Sequence, residues 1–243
     1  MRRIQWSYGV TTVPSRMCDL LPQTLKSLEL AGFPNPRLFV DNCTLNQAEA
    51  YVVEYPACPL TTHVPPHLSI VGSWILAVWE LYLRDPEATH YGIFQDDLVA
   101  YRNLRTYLER CEFPEKGYWN LYTFPHNHKL APAGKTGWHY SDQMGKGAVA
   151  IVLSRVGVQT LLSHQHLIQK PAVAGKRSHR AIDGGIITAY KKAGWREYVH
   201  APSLVQHTGT RSSMGNGKHP LADSFRGEEF DALELLKEER ICL

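Results

Sequence analysis

A chain of 243 residues is long enough to bury the core of one large α/β domain without disulfide or metal staples. Hydrophobic residues at 44% and charged residues at 20% exclude a disordered or fibrous protein. The net charge of +3, with a pI near 8.5, suits an anionic small substrate and is too weak to imply nucleic-acid binding by itself.

In chain order, IQWSYGVTTV at 4–13 predicts an opening strand closed by Pro14. CDLLPQTLKSLELAG predicts a helix with Leu21, Leu25 and Leu28 on one face, Asp19 as its cap and Gly32 at its end. RLFVD at 37–41 reads as a second strand after the turn signal FPNP, and a long irregular stretch is expected over about 56–70. Ser73 is placed to cap the apolar helix SWILAVWELYLR, which Asp85 and Pro86 stop. YGIF then forms a buried strand running into QDD; YWNLYTF at 118–124 alternates like a strand, and AVAIVLS at 148–154 is continuous and buried. Between these two lies a Gly- and Lys-bearing loop, 125–146, of the length that serves as a lid. Ser154 caps a short helix through Leu162, IDGGIITAYKKAG at 182–194 is a further helix, and WREYVHAPS is a strand. The C-terminal EEFDALELLKEER is at most an exposed amphipathic helix.

This alternation predicts an α/β fold: one open, mostly parallel, Rossmann-like sheet with helices on both faces, over 1–218, and a helical tail over 219–243. Five scattered cysteines, Cys18, Cys43, Cys58, Cys111 and Cys242, form no C-x-x-C pair and read as free thiols of a reducing compartment. The basic N-terminus lacks an apolar signal region and no run of about 18 apolar residues occurs, so a cytoplasmic protein with no membrane span is expected.

The chemistry concentrates at the strand ends, where open α/β sheets bind ligands. Asp96 and Asp97 offer several hard oxygens to one Mg²⁺ or Mn²⁺; the alternative is that they solvate the end of the strand. Thr11, Thr12, Ser15 and Arg16, in the TTVPSR segment where the first strand ends, suit a base edge and phosphates. Asp41 could accept hydrogen bonds from a base or ribose, or be an ordinary turn residue. In PSLVQHTGTRSSMGNGKH, His207 can complete a mixed His/carboxylate metal shell, while Arg211, Lys218 and loop N–H groups can hold a diphosphate. The H-x-H pairs at 126/128 and 164/166 have neither H-E-x-x-H nor Cys/His spacing, so no structural zinc is expected.

Taken in order, IQWSYGVTTVPSR, FVDN, FQDD, IDGG and PSLVQHTGTRSS resemble the landmarks of a GT-A glycosyltransferase over most of residues 4–217. The last segment is similar to the metal-ligand loop of the N-acetylglucosaminyltransferase IV group and its bacterial and phage relatives. QDD stands where that fold carries Asp-x-Asp or Glu-Asp-Asp, with Gln95 at the first position. The resemblance implies a nucleotide-sugar donor, with uridine the commonest base, and a divalent metal, Mn²⁺ or Mg²⁺. By it, Asp97 and His207 bind the metal, and Asp96 touches the ribose or a metal-bound water. Thr11, Thr12, Arg16, Asp41, Arg211 and Ser212 hold the donor. Asp183, in IDGG, falls where inverting members keep the general base, and could instead cap its helix.

The acceptor is either a glycan or other small hydroxylated molecule, or a hydroxymethylated pyrimidine in DNA. Trp138, Tyr140 and His126 could line its side of the site. Lys170, Lys176, Arg177 and Arg180, with Lys129, Lys135 and Lys146, could track a phosphate backbone, or solvate a loop. A metal-dependent phosphohydrolase and a non-catalytic nucleotide-sugar-binding module are the readings from other classes; no obligate protein partner is expected.

Overall fold

The computed structural model describes residues 4–168, 182–209 and 220–241. Its strands are β1 (Trp6–Thr12), β2 (Arg37–Val40), β3 (Leu60–Thr62), β4 (His90–Gln95), β5 (Leu98–Ala100), β6 (Gly117–Asn120), β7 (Gly137–Tyr140), β8 (Ala150–Ser154), β9 (Arg196–Ala201) and β10 (Val205–His207). Eight of them form one sheet in the order β3-β2-β1-β4-β8-β6-β9-β7; β5 and β10 pair separately. In the large sheet β8 and β7 run against the others, so the expected open, mostly parallel α/β sheet is what the chain forms.

Helices cover both faces. On one side lie α1 (Leu20–Leu30), α2 (Leu45–Glu54), α4 (Leu104–Leu108) and the C-terminal α9 (Leu235–Ile241), around Leu21, Leu28, Tyr51, Tyr107 and Leu235. On the other lie α3 (Ser69–Arg84), α6 (Arg155–Leu162), α7 (Gln165–Ile168) and α8 (Ile182–Lys192), around Trp74, Val78, Leu161, Ile186 and Tyr190. Adjacent strand residues split between the two cores, as Tyr118 and Trp119 do, because side chains alternate across a sheet. A four-residue helix, α5 (Pro125–His128), precedes β7. Residues 220–241 pack on this body: Ala232 and Leu235 are fully buried, and Phe225 stacks on Tyr101 with centroids 4.8 Å apart. The tail is thus less exposed than its amphipathic pattern suggests. Among the described residues no helix is long and apolar enough to cross a membrane, and Cys18, Cys43, Cys58 and Cys111 are free thiols.

Local chemistry sets the ends as expected for α1, where Asp19 accepts from the Leu20 N–H, and for α6, where Ser154 accepts from the Gly157 N–H at 3.0 Å. Elsewhere the structure differs. α3 begins at Ser69, not Ser73, because the Leu68 N–H is anchored on the Asp41 carboxylate at 3.1 Å; Ser73 is buried inside the helix. The stretch expected to be irregular contains β3, the edge strand beside β2. α2 carries little apolar periodicity, since only Tyr51 is buried, yet its Thr44–Gln47 capping box is visible in the sequence. The expected alternating strand at 118–124 ends at Asn120 and is buried throughout. The loop expected as a lid holds β7, which pairs with β9 at the sheet edge.

His90, at the start of β4, is 8% exposed and sits 4.8 Å from Trp6 and 5.1 Å from Phe113 by ring centroids. Burial pushes its imidazole down to about 4, from an ordinary 6.5. The unfolded chain therefore binds a proton that the folded chain refuses, and stability falls as pH drops through this window. The expected loss reaches about 3 kcal/mol by pH 4. Urea unfolding at pH 7 and pH 4 should show a smaller difference for His90→Phe than for the natural chain.

Candidate functional site

The ends of β1, β4 and β10 meet at the carboxyl edge of the sheet. β1 and β4 are parallel neighbours, with Thr11 opposite Gln95, so the segments leaving the two strands emerge side by side. Asp96 and Asp97 come directly after β4 and are 8% and 5% exposed. The Thr12 hydroxyl donates to Asp96 Oδ2 at 2.6 Å. Arg16, held in a buried single turn at Pro14–Arg16, places Nη1 3.3 Å from Asp97 Oδ2 and 3.9 Å from Asp96 Oδ1. Burial first, then the charge of Asp97, pushes the Asp96 carboxyl up to about 7; Thr12 and Arg16 oppose the rise.

His207 reaches the same place through β5. This short strand leaves Asp97 at once and pairs antiparallel with β10, with His207 opposite Leu98. The other edge of β5 is closed by α1: Thr24 Oγ1 accepts from the Leu98 N–H at 3.1 Å, and Ser27 Oγ from the Ala100 N–H at 2.8 Å. These hydroxyls replace a third strand, which is why a three-residue strand persists. The pairing sets His207 Nε2 3.4 Å from Asp97 Oδ2, and the Thr208 N–H donates to the Asp97 carbonyl at 2.8 Å.

Two observations show that this cluster has capacity to spare. Asp97 Oδ1 and Thr208 Oγ1 are buried without a hydrogen-bond partner among the described residues. Gly209 leaves a cradle, since a Cβ there would lie 2.6 Å from Asp97 Oδ2 and 2.9 Å from His207 Cε1. A buried carboxylate oxygen without a donor is costly unless something binds it. No group of three or more His, Cys, Asp or Glu among the described residues is arranged to hold an ion alone. One carboxylate with an imidazole, completed by substrate phosphates, is nonetheless a donor set that Mg²⁺ or Mn²⁺ accepts.

The structure distributes the other residues singled out from the sequence more widely. Thr11 Oγ1 donates to the Phe94 carbonyl at 3.3 Å, within the sheet. Asp41 accepts from the N–H groups of Asn42 and Leu68 and pairs with His67 at 2.5 Å, so its oxygens are spent on holding the start of α3. Asp183, in the first turn of α8, accepts from the Gly147 N–H at 2.8 Å and the Ala148 N–H at 3.4 Å. Trp138 stacks on Trp119 with centroids 4.6 Å apart, in the packing between β7 and β6. His126 is exposed, 3.7 Å from the Asp142 carboxylate. Lys176, Arg177, Arg211 and Ser212 lie outside the described residues. Gln95, standing at the first position of the acidic signature, donates through Nε2 to the Ala148 carbonyl at 2.9 Å, so Ala148 bonds both Gln95 and Asp183. Thr208 and Gly209 are not singled out by the sequence; their signal is a small residue directly after the His207 position.

No family model matches the chain, and no curated protein does. Among solved structures it is similar to a nucleotidyl transferase of Methanothermobacter thermautotroptrophicus, with a TM-score of 0.47 and 14% identity over 80% of this chain and 86% of that one. It is also similar to TarS of S. aureus (0.48, 12%, over 81% of this chain and 35% of that one) and to a cytidylyltransferase of Leptospira borgpetersenii (0.46, 8%, over 99% and 95%). Likenesses this distant do not say what the chain does, and the functional reading rests on the site.

Gly209→Ala tests the cradle directly. The added methyl must push Asp97 or His207 aside, with an expected destabilisation of about 1–3 kcal/mol by chemical unfolding. A variant as stable as the natural chain would mean that Gly209 does not close on the acid pair.

Proposed function

We propose that the chain is a metal-dependent glycosyltransferase that moves a sugar from a nucleoside diphosphate, uridine diphosphate first among them, to an acceptor hydroxyl with inversion. The observation that carries this is the convergence of Asp97, its Oδ1 without a partner among the described residues, with His207 and Arg16 at the carboxyl edge of the sheet. Asp97 and His207 would hold Mn²⁺ or Mg²⁺, which supplies positive charge to the oxygens of a diphosphate leaving group. Arg16 adds a fixed guanidinium beside the same oxygens, where charge grows as the sugar departs. Thr12 holds Asp96, so that the acid pair presents one geometry. Asp183, joined to Gln95 through the Ala148 residue that both bond, would take the proton of the attacking hydroxyl.

The acceptor side is open. A hollow of about 680 Å³ is lined by His128, Lys129, Lys135 and Arg226, with Ala201 and Pro202 at the end of β9. β9 runs in the same direction as β4, so this hollow opens at the same edge of the sheet as the acid pair. Arg226 is paired with Glu238, which leaves Lys129 and Lys135 as the cations of the lining; they favour an anionic acceptor and keep hydroxymethylated DNA beside a small glycan as a second reading. On DNA, transfer should fall steeply between 50 and 200 mM salt, by about tenfold for each pair of phosphate contacts. Transfer indifferent to salt would remove that reading.

The donor side is tested by melting the chain with Mn²⁺ and a panel of nucleoside diphosphates. Ligand at about a hundredfold its Kd should raise the melting temperature by roughly 5–10 °C. The rise should vanish in Asp97→Ala and His207→Ala, each compared with its own ligand-free melt. No rise with any nucleotide would overturn the proposal. Hydrolysis of the donor that no acceptor accelerates would favour the phosphohydrolase, and binding without turnover the non-catalytic module.

A further inference from the structure

A second polar cluster lies under α8, away from the acid pair. Tyr118 and Asn120 project from β6 to the face that α8 covers, and Glu197, opposite Tyr118 on the neighbouring β9, projects to meet them. Asn120 and Glu197 are 1% and 2% exposed. Glu197 Oε1 accepts from the Tyr118 hydroxyl at 2.8 Å and from Asn120 Nδ2 at 3.2 Å. Asn120 Nδ2 also donates to the Lys146 carbonyl at 3.1 Å. That carbonyl belongs to the peptide unit whose N–H, on Gly147, donates to Asp183 Oδ2. A continuous line of hydrogen bonds therefore runs from a buried acid, through one amide and one peptide plane, to the proposed base.

We infer that Asn120 and Glu197 are positioning residues that fix the Lys146–Gly147 peptide plane and through it the Asp183 carboxylate. The inference rests on Asp183 being the base of the transfer reaction. A peptide plane is rigid, so holding its oxygen sets the direction of its N–H. Gly145 and Gly147 both have positive φ, 68° and 76°, and a Cβ on Gly145 would come within 2.5 Å of the Asp183 carbonyl. The segment is also fastened to β9 through Glu197's own backbone: Gln143 Nε2 donates to the Glu197 carbonyl at 2.8 Å, and the Glu197 N–H donates to Gln143 Oε1 at 3.0 Å. Glu197 thus grips the strap before Lys146 with its main chain and the Lys146 carbonyl with its side chain, through Asn120. Burying an acid, an amide and a phenol together in this way is expensive unless they pair; Tyr118 and Asn120 both pair with Glu197 Oε1, while Glu197 Oε2 is buried without a hydrogen-bond partner among the described residues.

The test uses Asn120→Ala, Glu197→Leu and Glu197→Gln in the full chain, with two readouts: hydrogen exchange of the Gly147 amide, and the split between kcat and the donor KM. Asn120→Ala frees the peptide plane, so Gly147 exchange should accelerate by about tenfold or more. Its kcat should fall roughly ten- to a hundredfold, at an unchanged donor KM and unchanged Mn²⁺–nucleotide binding. Glu197→Leu removes the acceptor that holds Asn120 and should act in the same direction, which keeps the test available if Asn120→Ala does not fold. Glu197→Gln retains an acceptor for both partners and should keep kcat close to that of the natural chain. Unchanged Gly147 exchange in both disruptive variants would overturn the inference, as would a loss of kcat matched by a loss of donor binding. Should the natural chain bind no nucleotide and transfer no sugar, the glycosyltransferase reading falls, and Gly147 exchange still decides whether Asn120 and Glu197 hold the strap.

Discussion

Burying two adjacent carboxylates is the constraint on which this molecule turns. Asp96 and Asp97 leave β4 at a point where both are nearly inaccessible to water, and burying charge there is costly without compensation. The compensation comes from two distant parts of the chain: a hydroxyl at the end of β1 with a guanidinium just after it, and an imidazole at the end of β10. It is incomplete, because Asp97 Oδ1 has no donor among the described residues. An acid pair that is gathered, oriented and left one partner short is the arrangement on which the proposed donor site rests.

The two-stranded ribbon of β5 and β10 makes the gathering possible. Neither strand would last alone at three residues. Pairing satisfies one edge of β5 and the hydroxyls of Thr24 and Ser27 satisfy the other, so α1 carries polar groups on a buried face for a definite reason. The ribbon converts a sequence separation of over a hundred residues into a contact between Asp97 and His207.

The direction of β8 has an equal consequence. Because it runs antiparallel between β4 and β6, its N-terminal end abuts the C-terminal end of β4, with Ala150 opposite Phe94. The segment leading into β8 is thereby delivered to the edge where the acid pair lies, and there it meets Gln95 on one side and Asp183 on the other. A parallel strand in that position would have sent the same segment to the far edge of the sheet. A single reversed strand joins the acid pair to the carboxylate at the start of α8.

By itself, the sequence determined the fold class, most of the strands, the caps at Asp19 and Ser154, and the candidates Asp96, Asp97, His207 and Asp183. Most of these rest on local chemistry: periodicity, capping residues, and acids placed where an apolar strand ends; Asp183 as a candidate base rests on the resemblance of IDGG. Only the tertiary structure decided which candidates meet. It brought Asp97, His207 and Arg16 together and turned Asp41 toward the start of α3 and Trp138 into a stack on Trp119. It also tied Gln95, the first residue of QDD, to the Ala148 carbonyl, and joined Asn120 and Glu197, which carry no motif, beside it. The reason is physical: a motif records what one segment can do, whereas strand order, strand direction and the satisfaction of buried polar groups depend on partners that lie scores of residues away.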